Sequence, residues 1–387
     1  MAPGPIALVA SSYHPHVGGV EEHVRQVAGE LSRRGRRVAV WTVDRGEHLG
    51  VQIVDGVEVR YLPCPLPSSS VGGVARFLAA LPRAAHAWWT AYRALRPAVL
   101  HVQCFGPNGI WAWALARLSR TPLVISSHGE TFADDHGVFT RSRVLRQGLR
   151  RAVRDAATTT GCSRVVLNDL RRRFDLTGGV VVPNGVTPTD PDDVGPPGTG
   201  PSEAEPAGPA AKTGPVVLAL GRVERAKGFD LLLRAFARTE LPGTTLTIGG
   251  DGAELGSLRL LAEDLGVTDR VEFAGRLSRA QVAAWLRAAA VFVVPSRVEA
   301  FGIVVLEAWR AGAPVVGTTR GGPAEIITDG VDGLLADPLD EDCLAAALTR
   351  VLTDRSLARR LADEGRRSVR PYTWERAVDA YERIYPR

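Results

Sequence analysis

The chain has 387 residues, 45% of them hydrophobic and 23% charged, and a formal net charge of +5. That length predicts two domains, and the composition reads as that of an ordinary globular protein with ample core. Four scattered cysteines without a CxxC indicate neither a disulfide framework nor a zinc site.

The N-terminus, MAPGPIALVASSY, has no basic region ahead of its apolar run and becomes strand-like at once, so no secretory signal is expected. No apolar run reaches the roughly 18 residues of a membrane span, and a cytoplasmic protein is expected. After the strand IALVA, Gly18 and Gly19 open a periodic helix to Arg34. There the backbone is free to approach a phosphate closely, although a plain turn and helix cap fits the same residues. His14, His16 and His23 with Glu21 and Glu22 are a weak match to a metal site.

The alternation continues through RVAVWTV, AVLHVQ, a helix around Ile110 to Ser119, and PLVISSH. Short apolar runs separated by amphipathic helices predict parallel βαβ units. His128 ends the last of these strands, where a lone histidine is more often a satisfied structural residue than a functional one. Residues 1–185 hold 23 arginines and no lysine against 13 carboxylates, a balance of +10 that leaves −5 for the remainder. Two helices, VARFLAALPRAAHAWWTAYRALR and RSRVLRQGLRRAVRDA, mix arginine with apolar residues. They suit either an anionic membrane surface or a core-facing helix with arginines outward.

Residues 187–214 are packed with Pro and Gly and read as a linker between a domain over 1–186 and one over 215–373. In the second domain PVVLALG, TLTIGG, RVEFAG and AVFVVPS alternate with helices Phe229 to Thr239, Leu255 to Asp264 and Arg279 to Ala288. Arg222 and Lys227, the latter one of only two lysines in the chain, lie in the loop after PVVLALG. A diphosphate clamp or an ordinary surface ion pair fits that placement. Gly275, Arg276 and Leu277, at the end of RVEFAG and just beyond it, are candidates for holding a nucleobase. In RVEAFGIVVLEAWRAGAPVV, Pro295 ends a strand, Glu299 and Phe301 lie in a loop, and Gly302 begins a helix carrying Ile303 and, one turn on, Glu307. The free N–H groups at Gly302 and Ile303 suit phosphate or hydroxyl oxygens. A loop charge and a solvated helix position is the competing account of the two glutamates.

Glu325 reads as the third position of a helix begun by Gly322 and Pro323, a capping-box position. The acidic triplets at 190–192 and 340–342 are assigned to the linker and to a helix start, not to a metal. The chain ends in an amphipathic helix over about 374–387 that is expected to join the first domain. Neither a P-loop nor a G-x-G-x-x-G is present.

The segment EAFGIVVLE resembles the E-x7-E signature of retaining glycosyltransferases of the GT-B fold, family 4. HVGGVEEHV at 16–24, SSHG at 126–129, VVPNGV at 181–186, GRVERAKGFDLLLRAF at 221–236 and GGPAEIITDGVDGLL at 321–335 resemble further motifs of that family. The resemblance implies an α/β GT-B architecture, two doubly wound Rossmann-like domains facing each other across a cleft. It implies transfer of a hexose from an NDP-sugar, UDP- or GDP-linked, to an acceptor hydroxyl with retained anomeric configuration. Catalytic roles fall to His128, Arg222, Lys227 and Glu299; donor-binding roles fall to Gly18, Gly19, Arg276, Leu277, Phe301, Gly302, Ile303 and Glu307. Glu307 would take the ribose hydroxyls, Glu299 and His128 the donor sugar, and Arg222 with Lys227 the leaving diphosphate. No cofactor and no metal ion is expected, because those cations would carry the charge.

The family often has an acidic residue directly after the histidine; here Gly129 intervenes, which leaves the carboxylate of Glu130 without an assigned role. The N-terminal domain is expected to bind the acceptor, which stays open among a lipid-linked sugar, a polysaccharide precursor and a natural-product aglycone. Peripheral contact with the inner membrane face is a further expectation, and nucleic acid is not an expected partner. A GT-B sugar-nucleotide epimerase and a non-enzymatic basic binder of membrane or nucleic acid are the rival readings.

Overall fold

Strands that are covered on both faces require unbroken apolar runs, and this chain supplies them twice. The computed structural model describes residues 4–16, 18–67, 70–133, 137–187 and 214–386. It divides after Gly185 and again after Thr373, so the final helix Trp374–Ile384 folds with the first unit. Residues 188–213, on which nearly all of the expected linker falls, lie outside the described residues.

The first unit contains β1 (Ile6–Ala10), β2 (Val38–Val43), β3 (Val51–Val54), β4 (Val57–Leu62), β5 (Val99–Gln103), β6 (Leu123–Ser127), β7 (Thr158–Gly161) and β8 (Val180–Val181). Their order in the sheet is β3-β4-β2-β1-β5-β6-β7-β8. All neighbours are parallel except the hairpin β3–β4, which turns at Asp55 and Gly56, both at positive φ. Such a two-residue turn matches the twist of the strands it joins. Every residue of β1, β5 and β6 is buried. Trp88, Leu115 and Leu149, from helices Val71–Leu95, Pro107–Ser119 and Arg143–Asp155, share one core with the sheet. Val24, Val27, Trp374 and Val378, from helices Gly19–Arg33 and Trp374–Ile384, join another.

The second unit contains β9 (Val216–Leu220), β10 (Thr245–Gly249), β11 (Val271–Gly275), β12 (Val291–Val294), β13 (Val315–Thr318) and β14 (Leu334–Ala336). They form an all-parallel sheet in the order β11-β10-β9-β12-β13-β14. Counted from its own first strand this order is 3-2-1-4-5-6, that of a dinucleotide-binding sheet. Phe236, Ile248, Val293 and Leu348 are buried in its core. Trp309 is fully buried and donates its indole N–H to the Asp332 carbonyl at 2.7 Å. Both units are therefore Rossmann-like, and the fold is the α/β class that the strand alternation predicts.

Candidate active site

In an open parallel sheet the strand order reverses at one point, and the loops on either side diverge to leave a crevice at the strands' carboxyl ends. In the second unit that point lies between β9 and β12. The loop after β9 carries Arg222 and, in a 3-10 turn Arg225–Lys227, Lys227. The loop after β12 carries Glu299, Phe301 and Gly302. These segments approach backbone to backbone. Gly228 sits at φ 69°, and a Cβ there would lie 2.1 Å from the Pro295 carbonyl oxygen. Gly321 sits at φ 126°, with a Cβ position 1.9 Å from the Glu299 carbonyl oxygen. Only glycine fits such conformations and spacings.

Lys227 Nζ donates to Glu299 Oε2 at 2.6 Å, joining the two loops across the switch point. Ser296 Oγ adds a longer contact to the same oxygen at 3.4 Å. Burial pushes the Glu299 carboxyl up, but the charge and hydrogen bond of Lys227 outweigh it and hold the group below its ordinary range. The Glu299 backbone is fixed as well, its N–H donating to the Arg320 carbonyl and its carbonyl accepting from Gly322 N–H. Arg222 is placed differently: its side chain is 61% exposed and bonds Glu224 at 2.7 Å rather than joining this pair.

Gly302 is the N-cap of helix Ile303–Ala311, and no side chain caps that helix start. Phe301 is buried, its ring 6.3 Å from that of Tyr372. Glu307 is half-buried on the same helix, on the face of Ile303. Arg276 is 86% exposed, 3.9 Å from Asp251, and Leu277 is half-buried beside Gly249 at the end of β10. Glu325 lies in the short helix Pro323–Ile326, but Gly322 has no side chain with which to complete a capping box.

In the first unit the order reverses between β1 and β5. Gly18 is the extended N-cap of helix Gly19–Arg33, and a Cβ on it would lie 2.6 Å from Glu21 Oε2. A carboxylate thus already rests at this helix start, and any phosphate there has to displace it. A Cβ on Gly19 would meet nothing within 4 Å. His23 does not join His14 and His16 as a metal ligand. It is fully buried, with Nδ1 on Asn184 Oδ1 at 2.8 Å and Nε2 on the Tyr381 hydroxyl at 3.1 Å. Among the described residues no cluster of three His, Cys, Asp or Glu could hold a metal ion.

His128 follows β6, with Nε2 2.8 Å from Gln103 Oε1. The amide oxygen accepts, so this nitrogen carries the proton and Nδ1 is left as an acceptor. Gln103 Nε2 donates in turn to His101 Nε2 at 3.1 Å. Burial pushes the His128 pKa well below the usual range, so its ring is neutral. Glu130, whose role the sequence left open, is a structural clamp. It accepts from the N–H groups of Phe105 and His128 and from the Ser127 hydroxyl, at 2.9, 2.8 and 2.9 Å. Sequence reasoning missed Gln103 and gave Glu130 no role. The two polar residues of the fully buried β5, His101 and Gln103, were the available signal for Gln103.

Two family models match the chain: "Glycosyltransferase Family 4" over residues 17–190 and "Glycosyl transferases group 1" over residues 202–368. The lipopolysaccharide core biosynthesis glycosyltransferase LpsE of Rhizobium meliloti is 34% identical over 279 residues, 71% of this chain and 70% of that one. A D-inositol 3-phosphate glycosyltransferase of Xylanimonas cellulosilytica is 29% identical, over 95% of this chain and 91% of its own. In structure, sucrose-phosphate synthase of Thermosynechococcus elongatus aligns with a TM-score of 0.79 at 23% identity, covering 99% of this chain and 98% of that one. HepE of Anabaena, solved with UDP, aligns with a TM-score of 0.74 at 21% identity over 98% of both chains. With both units matched, a transferase relative above 30% identity and GT-B neighbours of nearly full coverage, the chain belongs to the group 1, family 4 glycosyltransferases.

Proposed function

We propose that the chain transfers a hexose-type sugar from a UDP- or GDP-linked donor to an acceptor hydroxyl, with retention of anomeric configuration, and that the second unit holds the donor. The observation that carries this is the Lys227–Glu299 pair, an ammonium and a carboxylate 2.6 Å apart at the switch point of a dinucleotide-type sheet. Lys227 takes the diphosphate, with Arg222 turning in from Glu224, and the N–H groups at Gly302 and Ile303 add donors. Glu299 accepts from sugar hydroxyls and Glu307 from the ribose. Phe301, next to Gly302 in sequence, is buried, and Arg276 with Leu277 border the nucleobase. That HepE of the same fold holds UDP and UDP-glucose supports a nucleoside-diphosphate donor here.

In a front-face transfer the bond from the anomeric carbon to the phosphate oxygen breaks while the acceptor oxygen bonds the same face. The acceptor's proton passes to the departing phosphate, and the products are a nucleoside diphosphate and a glycoside. Positive charge from Lys227 and Arg222 stabilises that leaving group, at about 3–4 kcal/mol per well-placed donor. The reading assigns no role to a metal ion. Gly18, Gly19 and His128, whose Nδ1 is an acceptor, are assigned to the donor's phosphate and sugar. The acceptor falls to the first unit: a lipid-linked or polysaccharide precursor, or an aglycone, reached from the cytoplasmic face of an anionic membrane.

A thermal-shift panel of UDP, GDP, UDP-glucose and GDP-mannose tests the reading. One base series should raise the unfolding temperature, because ligand at about 100 Kd stabilises by about 2.7 kcal/mol. No shift with any nucleotide overturns it. Conversion of the donor's sugar without an acceptor would favour an epimerase, and an inverted linkage in the product's NMR spectrum would overturn retention.

A further inference from the structure

Lys227 stands at the end of a single 3-10 turn, a short support for a side chain whose position has to be held to a fraction of an ångström. A second ion pair outside the Lys227–Glu299 contact supplies the missing rigidity. Arg297 leaves the loop after β12 and closes a two-pronged bridge onto Asp230, with Nη1 to Oδ1 and Nη2 to Oδ2 both at 2.6 Å. The same Nη1 also donates to the Arg225 carbonyl at 2.9 Å. The Arg297 backbone N–H donates to the Ala226 carbonyl at 2.8 Å.

Arg297 therefore grips the chain two residues before Lys227, one residue before it and three residues after it. Glu299, the partner of Lys227, is only two residues further along the same loop. We propose that Arg297 and Asp230 are positioning residues: their bridge locks the β9 and β12 loops together so that the Lys227 ammonium is aimed at the diphosphate of the donor. This rests on the donor-site reading above.

Three features favour a positioning role over a chance surface contact. The guanidinium is only 22% exposed and the carboxylate 33%, so solvent screens the pair less than an ordinary surface bridge. The planar fork also fixes direction as well as distance, which a lysine at position 297 would not do. Asp230 lies in the first turn of helix Phe229–Ala237, where a carboxylate is already favoured, so the bridge has a firm anchor.

The test is a double-mutant cycle on the full chain, read as the Kd for UDP and for GDP by calorimetry. Lys227→Ala should weaken the nucleotide that the wild type binds by about tenfold or more, and Arg297→Met by about tenfold. If Arg297 acts through Lys227, Lys227→Ala combined with Arg297→Met binds no more weakly than Lys227→Ala alone, to within about twofold. A merely structural role predicts that the two losses multiply, and that outcome overturns the proposal. An Arg297→Met protein that binds as tightly as wild type also overturns it.

Asp230→Asn, nearly isosteric and less disruptive, runs through the same cycle if Arg297→Met does not fold, with the same two outcomes. A wild-type protein that binds neither nucleotide overturns the donor-site reading and the inference with it. Normal wild-type binding with an additive cycle overturns the inference alone.

Discussion

The Lys227–Glu299 contact sets the behaviour of one carboxylate by two opposing influences. Burial raises the Glu299 pKa and the ammonium lowers it, with the lowering ahead. A carboxyl lowered in the folded state adds stability above its ordinary range, and that contribution is lost as pH falls through the folded value. In Lys227→Ala the largest lowering influence is gone and burial is opposed only by the Phe301 N–H and the Ser296 hydroxyl, so the Glu299 pKa rises and the stabilisation by its charged form shrinks. The stability deficit of the variant should therefore be largest near pH 7 and shrink toward about pH 4.5, close to the ordinary glutamate pKa. Denaturant titrations of both proteins across that window measure it, and a deficit independent of pH sinks the argument. Donor turnover should fall by roughly a hundredfold or more in the same variant, because an interaction with the leaving group is removed.

At the scale of elements, the first unit is tied to its own C-terminal helix by buried histidines that must stay neutral. His23, on helix Gly19–Arg33, accepts from Tyr381 of helix Trp374–Ile384, and His101 of β5 meets the Tyr385 hydroxyl just beyond that helix at 2.8 Å. Burial, partly offset by the Asn184 contact, lowers the His23 pKa to about 4. Burial, with the nearby His23, lowers that of His101 to about 3. An unfolded histidine takes its proton at about pH 6.5, so stability is complete above that value and declines as pH falls toward about 4 and then 3. Between about pH 6 and 5, unfolding should take up one proton fewer in His101→Gln than in wild type, read from the slope of unfolding free energy against pH; equal slopes would place the proton uptake elsewhere.

The same elements show what the sequence could carry. β1, β9 and β12 are legible because a parallel strand buried on both faces leaves an apolar run. The hairpin β3–β4 was missed although Asp55–Gly56 between two β-rich runs is its signal, because the edge strand is exposed at Val51 and Ile53 and lacks a core-like pattern. Lys227 and Glu299 were legible as motif residues. Their contact, across 72 positions of chain, was not, and neither was the Arg297–Asp230 bridge across 67. Local patterns report which face a residue takes, and only the strand order decides which loops meet.

At the scale of the whole molecule, the excess of arginine has a location. Helices Val71–Leu95, Pro107–Ser119, Arg143–Asp155 and Arg164–Phe174, which pack on one face of the first sheet, hold 13 arginines and only two carboxylates, Asp155 and Asp169. Helices Gly19–Arg33 and Trp374–Ile384, which pack with the other core, hold four arginines against six carboxylates. The basic layer is also where apolar residues meet solvent: Val71, Val74, Leu78 and Trp89 are exposed along a single stripe of the first of these helices, and Leu118 is 80% exposed. No described helix is long and apolar enough to cross a membrane. We propose that this face rests against an anionic bilayer. Each arginine near an anionic surface contributes about 1 kcal/mol, screened within a Debye length of about 8 Å at physiological salt. The wild-type protein should then co-sediment with vesicles containing phosphatidylglycerol, not with phosphatidylcholine alone, and binding should fall steeply as salt rises. Val74→Glu with Leu78→Glu should reduce that binding while leaving UDP and GDP affinity unchanged, since both side chains are exposed and lie in the unit without the Lys227–Glu299 pair. Wild-type protein that stays in the supernatant with anionic vesicles at low salt removes the membrane from the account, and the arginines are then no more than a solvated face.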